Sequence, residues 1–138
     1  MDWSDDGATF YFIDTGRPVV NAFTVIDDEL FEERIVIEIP ESDGAPDGMC
    51  MDANGGLWVA LWGGSQVRCY DSNDKFKLNQ VIELPAPFIT SCAFAGDNLE
   101  TLIITSARND QVDGPKEGGM TFYVEPGVAG RPSQPFGL

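Results

Sequence analysis

The sequence predicts an all-β chain in the form of a β-propeller of the six-bladed type, with about three four-stranded blades present. Three observations point there. Apolar residues fall in runs of roughly five to eight, rich in Val, Ile, Phe, Tyr and Trp and cut by Gly, Pro, Asn and Asp. No segment sustains the apolar stripe of a helix. The runs also recur at a period of about 45 residues, the spacing of propeller blades.

In chain order, the first expected blade (residues 1–43) has strands at Thr9 to Asp14, Val19 to Val25 and Arg34 to Ile39. The second (44–86) has Gly48 to Ala53, Leu57 to Leu61, Gln66 to Tyr70 and Asn79 to Leu84. The third (87–138) has Ser91 to Ala95, Thr101 to Thr105 and Met120 to Val124. Together they are expected to form one domain over residues 1–138. The repeat shows in the residues. Trp3-Ser4-Asp5-Asp6-Gly7, Phe10-Tyr11-Phe12 and Val20-Asn21-Ala22-Phe23 are echoed by Met51-Asp52-Ala53-Asn54-Gly55, Leu57-Trp58-Val59 and Val67-Arg68-Cys69-Tyr70. A third copy runs through Phe94-Ala95-Gly96-Asp97-Asn98, Leu102-Ile103-Ile104 and Met120-Thr121-Phe122-Tyr123. Its spacing is stretched by a longer polar loop from Ala107 to Gly119. Asp-Gly and Asn-Gly pairs sit where each innermost strand hands over to the next. The last segment, Glu125 to Leu138, is rich in Pro and Gly and is a poor central strand. Closed propellers need about four to eight blades, so a homodimer or a companion fragment is expected to complete the ring.

Composition narrows the chemistry. Eight basic against 23 acidic residues leave a net charge of −15, which disfavours phosphate backbones and anionic membrane surfaces. Nucleic acid and membrane are therefore not expected partners. The absence of histidine removes Ser-His-Asp and Cys-His nucleophile pairs and histidine-ligated metals. Cys50, Cys69 and Cys92 form no C-x-x-C pair and read as reduced, buried thiols. The opening Met1-Asp2-Trp3-Ser4-Asp5-Asp6 lacks the basic and apolar regions of a signal peptide, and a cytoplasmic location is the expectation.

Within each repeat, the residue four before the anchor of the first strand should lie at the mouth of a central channel. It is Asp47 in the second repeat and Thr90 in the third. Asp47, between Pro46 and Gly48, is open to two readings: a turn carboxylate bonded to its own backbone, or a hard-cation ligand facing the channel. Asp71-Ser72-Asn73-Asp74-Lys75 opens like a calcium loop, but Phe76 and Ile82 occupy the glycine and glutamate positions, leaving a polar hairpin turn. Asp27-Asp28-Glu29 and Glu41-Ser42-Asp43-Gly44 read as solvated turns, and Asp14 as the anchor of a strand end. Trp58 is a core candidate, Trp62 a candidate for the channel mouth, and Arg108 either an anion ligand or a surface cation.

Pro46-Asp47-Gly48-Met49-Cys50-Met51-Asp52, then Gly56-Leu57-Trp58-Val59-Ala60 and Gly63-Gly64, resemble the SMP-30/gluconolactonase/LRE-like family. Asp2-Trp3-Ser4, Thr90-Ser91-Cys92-Ala93-Phe94, Thr105-Ser106-Ala107-Arg108 and Gly118-Gly119 follow the same family order, so the resemblance covers essentially the whole chain. It implies a six-bladed propeller with a divalent cation (calcium, zinc or magnesium) in its channel, opening sugar lactones to aldonic acids. It also implies that Asp47 is both metal ligand and catalytic base, and that the chain corresponds to the C-terminal half of such a propeller. The family's other metal ligands, a glutamate and an asparagine, and its substrate-gripping residues belong to the other half. The alternative is a catalytically silent half-propeller that binds metal or a partner.

Overall fold

The computed structural model describes residues 1–109 and 117–133. Eleven strands are present there: β1 (Asp2–Trp3), β2 (Thr9–Asp14), β3 (Val19–Ile26), β4 (Glu29–Glu38), β5 (Ala45–Met51), β6 (Gly56–Trp62), β7 (Gln66–Asp71), β8 (Lys77–Glu83), β9 (Ile89–Ala95), β10 (Thr101–Ser106) and β11 (Thr121–Val124). They form three antiparallel meanders, β1-β2-β3-β4, β5-β6-β7-β8 and β9-β10-β11. These are the blade-like sheets expected from the repeat. The third has three strands among the described residues; the described part of the Pro- and Gly-rich segment after Val124 adds no fourth, and residues 134–138 lie outside the described residues. So do residues 110–116 of the expected polar loop.

Most strands fall where apolar runs placed them, with one large difference. The strand expected from Arg34 begins at Glu29, because Asp27 and Asp28 (φ 50° and 63°) make a two-residue turn pairing Ile26 with Glu29. The added residues Glu29-Leu30-Phe31-Glu32-Glu33 are exposed, and no buried face imposes alternation on them. A short β1 also precedes the first expected strand.

The core explains why β6 is continuously apolar. Leu57, Val59 and Leu61 face a cluster shared with Tyr11, Val20, Ala22 and Ile37 of the first sheet. Trp58 and Ala60, pointing the other way, join Ile89, Cys92, Leu102 and Ile104 of the third. Period-two alternation thus feeds two interfaces at once, and the middle sheet is buried on both faces. Beyond β11 the chain bridges the middle and third sheets: Ala53 N–H, just after β5, donates to Ala129 C=O at 2.9 Å, and Gly130 N–H donates to Leu99 C=O, in the turn between β9 and β10, at 2.7 Å. Gly130 lies so close to Phe94 that an added Cβ would sit 2.2 Å from the Phe94 Cβ. Gly130→Ala is expected to cost about 1–3 kcal/mol in urea unfolding, since ring and backbone must separate.

The first sheet keeps one open face. Its register aligns Trp3, Phe10 and Phe23 in one cross-strand row, and Phe12, Asn21 and Ile35 in the next. Trp3 and Phe12 are each 41% exposed and Ile35 44%, an unusual concentration of apolar surface for one sheet face. Within it Asn21 is buried, and its Oδ1 has no hydrogen-bond partner among the described residues.

Candidate functional site

The Pro46-Asp47-Gly48 segment is shaped by a bulge. Pro46 pairs with Leu61 and Met49 with Val59, so Asp47 and Gly48 together oppose Ala60 alone. In the third sheet Ile89 pairs with Ser106 and Ser91 with Thr105, leaving Thr90 as the extra residue. The two positions equated by the internal repeat therefore both sit at irregularities of a leading strand, the kind of feature that re-aims side chains beside functional sites. Thr90 Oγ1 lies 2.7 Å from Thr105 Oγ1.

All three sheets converge on this bulge. The Thr15 hydroxyl, just after β2, donates to the Pro46 carbonyl at 2.9 Å. On the other side Gly48 rests against β9: an added Cβ would lie 2.7 Å from Ser91 Cα and 2.3 Å from its Oγ. Glycine at 48 is what lets the two leading strands approach. Asp47 is partly buried, and burial pushes its carboxyl above the usual aspartate range, with no opposing contribution from a hydrogen bond or cation. A turn carboxylate bonded to its own backbone would be shifted the other way.

Asp47 is thus a partly buried carboxylate, without a complete cation site around it among the described residues. Among the described residues no group of three or more Cys, Asp or Glu side chains stands together as a metal site. Calcium takes six to eight oxygens, and Asp47 offers one carboxylate. The donors among the described residues do not fit a divalent cation by themselves.

The other singled-out residues have separate tasks. Asp14 Oδ1 accepts from Gly16 N–H at 3.1 Å and fixes the end of β2. Asp43 is not simply solvated: Arg68 on β7 meets it at 2.8 Å, and this hydrogen bond holds its carboxyl below the usual range. The Asp71 turn is closed by its carboxylate accepting from Asn73 N–H at 2.9 Å, but it is not wholly polar, because Phe76 turns back edge-on to Tyr11 at 5.9 Å. Trp58 is core. Trp62, at the end of β6, stacks at a tilt on Phe88 with centroids 4.7 Å apart, and Arg108 lies against Gly119.

Sequence reasoning missed two constellations. Asp52 is buried, its Oδ1 accepting from the backbone N–H groups of Asn54 and Gly56 and its Oδ2 from the Trp58 indole, each at 2.8 Å. Asp2 accepts from Met51 N–H at 2.7 Å and from Arg131 at 2.6 Å, and Arg131 also donates to the Trp3 carbonyl. Asp2, Arg131, Trp3, Cys50 and Phe94 line a cleft of about 250 Å³. The Asp-Ala-Asn-Gly spacing signals a turn at Asp52; nothing local signals the Asp2–Arg131 pair.

The sequence profile of the SMP-30/gluconolactonase/LRE-like region matches residues 1–108. The chain belongs to that family. Within it, regucalcin of Danio rerio is 39% identical over 139 residues, 96% of this chain and 47% of its own. A regucalcin structure from Agrobacterium tumefaciens, described as a calcium-binding protein, is 30% identical and superposes with a TM-score of 0.82 over 94% of this chain and 46% of that one. A Xanthomonas campestris gluconolactonase is 29% identical with a TM-score of 0.69, covering 88% of this chain and 35% of that one. The expected propeller fold is thereby shown. The chain spans about half the length of the curated relatives it matches. Among the described residues, no helix is long and apolar enough to cross a membrane.

Proposed function

We propose that the chain supplies the Asp47 half of a lactone-hydrolysing site, in a metal-dependent hydrolase of the sugar-lactonase (gluconolactonase) type that becomes active when its propeller is completed. The observation that carries this is Asp47 itself, a partly buried carboxylate of raised proton affinity on a bulge where three sheets meet. Such a group suits general base work. Asp47 takes a proton from the water that attacks the lactone carbonyl carbon; the ring C–O bond then breaks, and the departing ring oxygen takes the proton back from Asp47. The product is a hydroxy acid of the aldonic type. Calcium, zinc or magnesium is the proposed cofactor, with Asp47 as one ligand and the others supplied from outside the described residues.

In this reading residues 1–138 form one partial propeller with blades near 1–43, 44–86 and 87–138. A second copy or a companion fragment covers the open face of the first sheet, where apolar side chains and the orphaned Asn21 Oδ1 support such a contact. The free thiols support a reducing, cytoplasmic setting. The test is solution mass by light scattering together with gluconolactone hydrolysis above the spontaneous rate, each with calcium, zinc, magnesium or chelator. A mass of twice 15.0 kDa with cation-dependent turnover is the expected result for self-completion.

A second reading, a catalytically silent half-propeller serving as a metal-binding or interaction module, is supported on its interaction side by the exposed apolar side chains on the open face of the first sheet. A 15.0 kDa monomer without turnover under every condition, and inactive also when mixed with the complementary half of a family member, would establish it.

A further inference from the structure

Cys50 on β5 and Cys92 on β9 are 42 residues apart, yet their Sγ atoms lie 3.7 Å from each other between the second and third sheets. The two thiols differ in access. Cys50 is partly exposed in the wall of the 250 Å³ cleft, whereas Cys92 is buried behind it, its sulfur 3.5 Å from the Trp58 carbonyl. Cys69 is buried on β7, away from the cleft lining. This is a pair with an entrance, and no chemistry proposed above uses it.

We propose that Cys50 and Cys92 are a modification site, a dithiol that a hydroperoxide converts to a disulfide stapling the second sheet to the third. Cys50 Sγ, reached through the cleft, attacks the terminal peroxide oxygen; the O–O bond breaks, leaving Cys50 as the sulfenic acid and releasing water from hydrogen peroxide. The Cys92 sulfur then attacks the Cys50 sulfur, the S–O bond breaks, and the hydroxyl leaves with the Cys92 proton as a second water. Two electrons pass from the two thiols to one peroxide. The sulfurs must close from 3.7 Å to the disulfide length of about 2.05 Å. The hydrogen bond with the Cys92 thiol, and then burial, hold Cys50 in its protonated form, so the first step is slow and responds to sustained oxidant rather than to a trace. Cys50 lies three residues after Asp47 and Cys92 two after Thr90, so the staple fixes the spacing of the two bulged strands.

The experiment treats the full chain with excess hydrogen peroxide at neutral pH, then counts free thiols under denaturing conditions, weighs the intact protein and maps its peptides. The expected result is a fall from three free thiols to one, a mass loss of about 2 Da, a Cys50–Cys92 linked peptide, and a Tm raised by about 10 °C that dithiothreitol reverses. Cys69→Ser should leave the linkage intact, and Cys50→Ser or Cys92→Ser should abolish it. Because the wild-type map is decisive alone, poor folding of either serine variant does not blunt the test. Three persisting thiols, added oxygen on Cys50 without a link, a link through Cys69, or a link only between chains would each overturn the proposal. None of these outcomes depends on lactone hydrolysis.

Discussion

Asp52→Ala is expected to lower the unfolding free energy by about 4 kcal/mol and Tm by roughly 12 °C. The carboxylate is 5% exposed and is the common acceptor for three donors: the backbone N–H of Asn54, that of Gly56, and the Trp58 indole. Truncation removes three charge-assisted hydrogen bonds and leaves two buried donors, the Gly56 N–H and the Trp58 indole, without partners, each worth about 1–3 kcal/mol. Glycine at 56 is what admits the carboxylate, since a Cβ there would lie 2.3 Å from Asp52 Oδ2. Trp58→Phe separates the contributions: it deletes one donor while keeping much of the ring that meets Phe94 edge-on at 6.0 Å, and should cost less than Asp52→Ala. Urea unfolding of the two variants checks this, and an Asp52→Ala loss below about 1 kcal/mol would contradict the cradle.

These contrasts show what local sequence encodes. β6 was legible because Leu57-Trp58-Val59-Ala60-Leu61 must be apolar on both faces to fill two clusters. The equivalence of Asp47 and Thr90 was legible because each blade repeats its leading strand, although the bulges themselves follow from pairing register. Contacts between sheets left no local trace. Asp2 meets Arg131 across 129 residues because the segment after β11 comes back to β1, and Cys50 meets Cys92 across 42 because β5 and β9 lie against one another. The front half of β4 was hidden for the opposite reason: exposed on both sides, its residues are free of the alternation that marks a strand.

In the proposed reaction, Asp47→Asn is expected to reduce lactone hydrolysis by the completed propeller by about 10²–10⁴-fold, the range for loss of a positioned general base, while raising the stability of the chain at neutral pH. The opposite signs follow from one environment. Burial raises the folded-state pKa of Asp47 above its unfolded value, so the folded chain binds this proton more tightly than the unfolded chain does. Its contribution to stability is therefore most favourable below the ordinary aspartate range. It declines as pH rises through the unfolded and then the folded pKa, and stays reduced at pH 7. Asparagine carries no charge to bury, so the variant should match the wild type in urea unfolding near pH 3 and exceed it near pH 7. A carboxylate kept to fix the turn would behave in reverse, with hydrogen bonds lowering its pKa and asparagine weakening the fold at neutral pH. A variant less stable than wild type at pH 7 would thus remove Asp47 from the chemistry and return it to the backbone.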